Sequence, residues 1–441
     1  MNDPANLEQG DPVAVVGAGP VGLAAAAHLL ERGLQPLVFE ADDAPGATFR
    51  DVAHVPLFSP WRYNIDEAAA RLLEGAGWER PDPDSLPTAR ALLEDYLEPL
   101  AALPAVAQRL RLSTRVTAIT RQGVDKVKTR GRDRAPFLLR VQDAHGQCRE
   151  HAAAAVLDAT GTWAHPNPLG AHGLPALGET QFRDRIHYGM PDIVGRERAH
   201  FAGQSVLVVG AGHSAAGNLL ALAELADHYP GTSVHWAVRG TTPHRLLEGT
   251  HEDSLPARGA LGERIKAWLR SGQLVLHTSF PIHEIRADRR GMTVIPADGS
   301  GKTALDGIDR IIAATGSRPD TALTRELRTQ LDPALECAPA LAPLIDPNEH
   351  SCGTVPPHGH RELAQPEPGL YVVGAKSYGR APTFLMRTGF EQVRSIAAAL
   401  RGDLPAADQV DLTLPATGVC GGPVTDAPAH RETVCCPTPG T

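Results

Sequence analysis

Asp11-Pro12-Val13-Ala14-Val15-Val16-Gly17-Ala18-Gly19-Pro20-Val21-Gly22 is the stretch from which the rest of the chain is read. An apolar run, Val13 to Val16, meets a complete G-x-G-x-x-G turn. An Ala-rich helical stretch follows, and a second apolar run, Pro36 to Phe39, ends on Glu40. Strand, glycine turn, helix and strand in that order make a dinucleotide-binding unit, which the glycines alone would not. Gly17 permits the tight turn, Gly19 lets the backbone approach a pyrophosphate, and Gly22 brings helix and strand together. Pro20 sits in the first helical turn, where a missing N–H costs little. The unpaired amides of that turn attract phosphate. Glu40 stands where an acid bonds a ribose hydroxyl.

The 441 residues are enough for two or three cores. A formal net charge of −9, with no Lys/Arg run, excludes nucleic acid as a partner. No apolar run reaches the length of a membrane span, and Met1 to Gly10 is acidic and polar, unlike a signal peptide. Six cysteines are too few and too scattered for a disulfide scaffold. A soluble, cytoplasmic protein is expected.

Asp42 to Asn64 reads as a loop that gathers Phe49, Phe58, Trp61 and Tyr63, suited either to stacking on a flat ligand or to a satellite cluster beneath the loop. Helices are predicted over Ile65–Glu74 and Thr88–Leu100, with a Pro/Asp-rich turn between them. Strands are predicted over Leu112–Thr120, Phe137–Asp143 and Ala154–Thr160. The charged stretch Arg121–Arg134 reads as a solvated hairpin end.

A second fingerprint follows a Pro/Gly/His-rich connector (Trp163–Ala202): strand Ser205–Val209, turn Gly210-Ala211-Gly212-His213-Ser214-Ala215, helix to His228, strand Ser233–Val238. Ala215 replaces the third glycine, an accepted variant. The second strand ends on Arg239, with Arg245 beyond, where a cation suits the 2′-phosphate of NADP. His213 either touches a ligand or is satisfied by its own backbone. Thr241–Leu269 is expected to be a solvated lid plus a helix over Leu261–Leu269, without metal-ligand spacing. Strands at Gln273–His277, Met292–Ile295 and Ile308–Thr315 follow. The Ala314-Thr315-Gly316 exit repeats the earlier Ala159-Thr160-Gly161. A buried strand, Gly369 to Gly374, leads to a helix over Thr383–Leu400, for which Thr383 is the expected N-cap.

This order of two fingerprints, two A-T-G exits and a V-V-G strand before a long helix resembles two-dinucleotide-binding flavoproteins, and within them the class B flavin monooxygenases. Tyr188-Gly189-Met190-Pro191-Asp192 and Lys376-Ser377-Tyr378-Gly379-Arg380-Ala381-Pro382-Thr383 carry a closer likeness to bacterial oxidoreductases of that group, some associated with arsenic resistance. The family's F-x-G-x-x-x-H-x-x-x-aromatic signature is not reproduced by Gln181–His187. The resemblance implies two Rossmann-like α/β domains with the NADPH domain inserted into the FAD domain. The FAD domain would take residues 1–164 and 321–402, the NADPH domain 165–320, and a Cys-containing tail 403–441. It implies FAD on Gly17, Gly19, Pro20, Gly22, Glu40, Phe49, Val116, Thr160, Gly161, Gly374, Ser377 and Thr383. NADPH would lie on Gly210, Gly212, His213, Ser214, Arg239, Arg245, Thr315 and Gly316, with Trp61 and Asn64 on the flavin's oxygen-reacting face.

The implied chemistry is oxygenation, through a peroxyflavin, of sulfur, nitrogen or trivalent arsenic in a small molecule. O₂ is the co-substrate and a homodimer is the assembly admitted. Two alternatives stay open: an NADPH-dependent flavin reductase of disulfides, metals or quinones, and a non-enzymatic flavin or NADP sensor. A disulfide reductase should carry C-x-x-C or C-x-x-x-x-C, and neither occurs. Adjacent Cys435-Cys436 in the tail, with Cys420 upstream, is similar to the vicinal pair of mercuric reductases, and three thiolates could chelate As(III). They could equally be plain solvent-exposed thiols.

Overall fold

The computed structural model describes residues 7–243, 256–350, 355–409 and 412. Two five-stranded parallel sheets dominate it. The first has the order β16-β7-β1-β2-β3, from Leu370–Val372 (β16), Ala155–Asp158 (β7), Pro12–Val16 (β1), Gln35–Phe39 (β2) and Leu110–Arg111 (β3). Every residue of β7 is buried, and β1 is buried from Val13 onward. That is what a strand covered on both faces requires. The second sheet has the order β11-β10-β9-β15-β8: Leu274–His277 (β11), Ser233–Ala237 (β10), Ser205–Val209 (β9), Arg310–Ala313 (β15) and Ile186–Tyr188 (β8). All its strands fall in sequence between β7 and β16. This is the α/β fold with one nucleotide-binding unit inside another.

Helix α1 (Pro20–Glu31) links β1 to β2 and is buried from Val21 to Leu29. Its Ala24–Ala27 run leaves room for helix α5 (Met386–Leu400), whose Phe390, Val393, Ile396 and Ala397 share the same core. The approach is tight, since a Cβ on Gly389 would lie 2.6 Å from Val21 Cγ2. Glu67–Glu74 (α2) closes that layer, capped by Asp66, whose carboxylate accepts from the Ala69 amide. His213–His228 (α3) and Pro256–Arg270 (α4) cover the second sheet. Among the described residues no helix is long and apolar enough to cross a membrane.

Two antiparallel sheets attach to this frame. One joins Thr114–Arg121 (β4), Phe137–Asp143 (β5) and Cys148–Ala153 (β6). The other joins Ile282–Asp288 (β12), Gly291–Pro296 (β13) and Leu305–Ile308 (β14). The expected hairpin over β4 and β5 is present, but its charged end is not solvated throughout. Arg121 and Arg132 are buried, and both clasp Glu367, at 2.9 and 2.6 Å. Arg121 also lies over the Phe137 ring, 3.6 Å from its centroid. Burial pushes the Glu367 carboxyl up, yet Arg132, the Arg328 amide and Arg121 outweigh it and hold the carboxyl below its ordinary range.

Three other expectations change. The last long helix begins at Met386, and Leu385 occupies the cap position without a side-chain bond. Thr383 is buried and directs its hydroxyl to the Ile345 carbonyl at 3.4 Å, so it does not cap. The helix expected over Thr88–Leu100 does start with Thr88 as its cap, but it widens into a π turn at Leu93–Leu97 ahead of Pro99. The strands β3, β6, β8, β12 and β14 were not in the sequence expectation.

Candidate functional site

At the first fingerprint the backbone takes up the conformations that its residues allow. Gly17 has φ +102°, and a Cβ there would lie 2.7 Å from the Ala159 carbonyl oxygen. A Cβ on Gly22 would collide with the Gly17 carbonyl, so helix and turn can meet only through glycine. Nothing lies within 4 Å of the Cβ position of Gly19, which stands at the amino-terminal cap of α1. Glu40 is held by the turn itself. Its Oε2 accepts from the Ala18 amide at 2.7 Å and its Oε1 from the Asp42 amide at 3.0 Å. Beside it a cavity of about 420 Å³ is lined by Ala41, Asp42, Asp43, Ser113, Arg115 and Gln142. That volume suits a nucleoside. Val116 follows Arg115 on β4 and is half-buried.

The two A-T-G exits lie side by side. Gly161 and Gly316 both have left-handed backbones (φ +67° and +80°), and Ser317 Oγ donates to Thr162 Oγ1 at 2.7 Å where the chain crosses between the sheets. Thr315 Oγ1 donates to the Asn167 carbonyl at 2.6 Å. Thr160 is anchored by residues the sequence reading missed. Its hydroxyl donates to Asp158 Oδ1 at 2.7 Å, and Lys376 Nζ donates to Asp158 Oδ2 at 2.7 Å and to Thr160 Oγ1 at 2.9 Å. The ion pair itself is buried (Asp158 is 0% and Lys376 5% exposed), while Thr160 stands at the exposed end of the network.

Gly374 (φ +68°) closes the wall opposite, against Val21 of the first fingerprint. A polar chain holds its turn. Gln392 Oε1 accepts from the Gly374 amide at 2.9 Å, and Gln392 Nε2 donates to Ser377 Oγ at 2.9 Å and to His358 Nε2 at 3.0 Å. Ser377 Oγ in turn donates to the Gly374 carbonyl at 2.7 Å. A carbonyl only accepts, so the 3.0 Å contact of His358 Nδ1 with the Pro356 carbonyl fixes a neutral ring protonated on Nδ1. Burial lowers the His358 pKa below its ordinary value, consistent with that state. Ser377 therefore supports the turn from beneath, and the Gly374-Ala375 backbone is what the wall presents.

The aromatic segment divides. Trp61 belongs to the core of the first unit, with Phe49 packed against it. Asn64 is 1% exposed, and its Nδ2 donates to the Ser59 and Pro60 carbonyls at 2.6 and 3.1 Å. Its Oδ1 is buried with no hydrogen-bond partner. An orphaned acceptor carries a desolvation cost that a bound donor would remove. Phe58 reaches across to the second fingerprint, its ring centroid 5.7 Å from that of His213.

In that second unit Gly210 (φ +133°) repeats the geometry of Gly17, this time against the Ala314 carbonyl, and the Cβ side of Gly212 is again open. Trp236 Nε1 donates to the Gly210 carbonyl at 2.7 Å. His213 opens α3 with Ser214 next to it, both half-buried. Met190 lodges against Gly217 of this helix while packing on Val52, Val55 and Ala89 of the first unit. Arg239 is exposed and gives one N–H to the Ala171 carbonyl at 3.3 Å, which leaves most of the guanidinium for an anion. Arg245, the expected lid loop, Cys352, Cys420, Cys435 and Cys436 lie outside the described residues.

Two open glycine faces, a clamped acid, a nucleoside-sized cavity and an unsatisfied amide oxygen fit a flavin dinucleotide at the first turn and a nicotinamide dinucleotide at the second. Comparison with known proteins agrees. Residues 12–80 match the family model described as FAD dependent oxidoreductase. Flavin-containing monooxygenase 1 of Oryctolagus cuniculus is 30% identical over 209 residues, which is 46% of this chain and 36% of that protein. The chain thus matches about a third of that relative's length. Among solved structures, the Bacillus cereus bacillithiol disulfide reductase Bdr superposes with a TM-score of 0.65 at 18% identity, covering 89% of this chain and 99% of that one. The desferrioxamine-pathway cadaverine monooxygenase of Erwinia amylovora, bound to FAD, gives 0.63 at 16%, covering 93% and 100%. The ornithine N-hydroxylase of Kutzneria, with reduced FAD and NADP⁺, gives 0.58 at 18%, covering 90% and 99%. The chain has the fold of the two-dinucleotide-binding flavoproteins, and residues 12–80, in its first unit, are similar to the FAD dependent oxidoreductase model.

Proposed function

We propose that the protein is an NADPH-dependent FAD monooxygenase acting on a soft heteroatom (sulfur, nitrogen or trivalent arsenic) of a small molecule. The observation that supports this reading is the contact of Phe58, in the aromatic segment of the first unit, with His213 at the second glycine turn, which brings the two candidate nucleotide sites together. When bound, FAD supplies hydride acceptance and the activation of O₂.

The chain's own residues bind, orient and exclude water. Glu40 takes the ribose hydroxyls, Gly19 and Gly212 admit the pyrophosphates, and Arg239 pairs with the 2′-phosphate. Trp61 keeps the oxygen-reacting side dry, and Asn64 Oδ1 holds the ring edge by accepting a hydrogen bond. Neither Trp61 nor Asn64 is an acid or a base, so their part is to orient and to exclude water, and a soft nucleophilic acceptor needs no more of them. Among the described residues the cysteines are Cys148, exposed on β6, and Cys337, buried with its thiol pushed up to about 12 by burial. Neither is a partner for dithiol exchange with the other.

Oxygen-18 labelling tests the proposal. Purified protein with FAD and NADPH is turned over on thioethers, tertiary amines and organic trivalent arsenicals under labelled O₂. One labelled atom in the product is expected. NADPH oxidation that yields only hydrogen peroxide, with no labelled product from any class, would refute it.

A further inference from the structure

We propose that His187, Glu197 and His200 form a binding site for a divalent cation of the zinc class, in the second unit and apart from both nucleotide turns. His187 sits on the edge strand β8. Glu197 and His200 come from the turn and short helix (Arg198–Phe201) that lead toward β9, the first strand of the second fingerprint. One ligating atom from each of the three lies within 4.8 Å of the others.

The arrangement is supported from several sides. His187 Nδ1 is 3.2 Å from Glu197 Oε2, while His187 Nε2 is buried with no hydrogen-bond partner. A buried imidazole nitrogen without a partner is costly, and a metal ion is one of the few groups that would satisfy it. The His187 ring is held by Phe201, with centroids 4.9 Å apart, and faces the His200 ring at 5.5 Å. The other Glu197 oxygen, Oε1, accepts from the Asp192 amide at 3.4 Å, which orients the carboxylate. Burial lowers the His187 pKa and the Glu197 carboxylate opposes it, with burial prevailing. Two cations oppose a metal: Arg310, facing His187, and Arg196, 3.9 Å from Glu197 Oε1.

Two nitrogens and one carboxylate oxygen favour Zn²⁺ over Mg²⁺ or Ca²⁺, which prefer oxygen donors throughout. Zinc ligands at about 2.0–2.1 Å must close to within about 3.5 Å of one another. His200 is exposed, and a change of its rotamer supplies that movement. The same exposure leaves the fourth position to water. Bound there, the ion would tie the edge strand β8 to the turn feeding β9.

Calorimetric titration of the full, folded chain with zinc sulfate tests this, with the solvent-accessible cysteine thiols alkylated beforehand so that the tail cysteines cannot compete. One saturable equivalent is expected, along with a cobalt substitute whose visible absorption is that of a four-coordinate ion. His200→Ala, an exposed change with little risk to folding, should weaken binding about 100-fold, and Glu197→Gln about 10-fold or more. A circular dichroism melt without zinc confirms that each variant is folded. Wild-type protein that shows no saturable binding, or binding unchanged in folded His200→Ala, would overturn the assignment.

Discussion

Lys376 Nζ lies 2.7 Å from Asp158 Oδ2, and the two residues are joined across 218 positions of sequence in a region closed to solvent. The pair pins the end of β7, where the first A-T-G exit begins, to the turn after β16. Removing one member leaves an uncompensated buried charge. Lys376→Met should therefore destabilise the protein by about 3–5 kcal/mol. Lys376→Met with Asp158→Asn should recover much of that loss, because no full charge is then buried. Urea denaturation of the two variants beside wild type checks the ordering.

Glu367 bears on a different part of the first unit. It is the single acid between Arg121 and Arg132, all three almost fully buried. Glu367→Gln keeps the shape and removes the charge that both guanidiniums need. A loss of about 3–5 kcal/mol is expected. Because the triad is remote from the nucleotide turns, FAD content per folded molecule should not change. Loss of flavin without loss of stability would contradict this placement.

Asn64 should separate oxygen chemistry from cofactor binding. Its Oδ1 is the buried acceptor left without a partner, and a hydrogen bond made there is worth about 1.4 kcal/mol, or tenfold in rate. Asn64→Ala should retain FAD and NADPH oxidation while oxygenated product falls about tenfold or more, with hydrogen peroxide making up the difference. Product and peroxide measured in the same reaction decide it.

Arg239 should set coenzyme preference. A charge-assisted bond to the 2′-phosphate contributes about 1.5–3 kcal/mol. Arg239→Ala should raise the KM for NADPH about 10- to 100-fold while that for NADH stays within about twofold. Equal losses for both coenzymes would place Arg239 outside the phosphate site.

Acid should loosen the wall behind Gly374. His358 is neutral and accepts from Gln392, and burial keeps its folded pKa below the ordinary 6.5 although Glu362 and Glu391 pull it upward. The sign follows from linkage. Above pH 6.5 neither state is protonated, and as pH falls through 6.5 the unfolded chain takes up the proton first. Stability should therefore fall on acidification, by up to about 1.4 kcal/mol per pH unit for each such ring. His235 and His277, stacked with nitrogens 3.1 Å apart and both lowered by burial, act in the same direction. Melting temperatures from pH 7.5 to 5 measure the slope, and His358→Gln should flatten it.

The parts of this architecture that sequence disclosed are those written in local spacing. Val13 to Glu40 and Ser205 to Arg239 each carry strand, turn, helix and strand within about 35 residues, and each reading met its element within a residue or two. The partners that complete the site are distant. Arg121 meets Glu367 across 246 positions, and no local pattern distinguishes it from the solvated arginines around it. Lys376 was visible only as part of a motif, since nothing near it in sequence names Asp158 as its counter-ion. Thr383 misled for the opposite reason: a threonine before an apolar helix reads as a cap, but burial against Ile345 claims it instead. Short edge strands such as β8 are too brief to show a period at all.

The position of β16 bears on how the chain is made. The outer edge of β7 and the alanine face of α1 are covered by segments that leave the ribosome after the whole inserted unit. By Ala313 all five strands of that inserted unit have been made. The amino-terminal unit, though synthesised earlier, waits with a bare strand edge until residues 370–400 emerge. Nascent chains arrested before Leu370 should thus carry a protease-resistant middle and a chaperone-bound beginning, reversing the usual order in which domains mature.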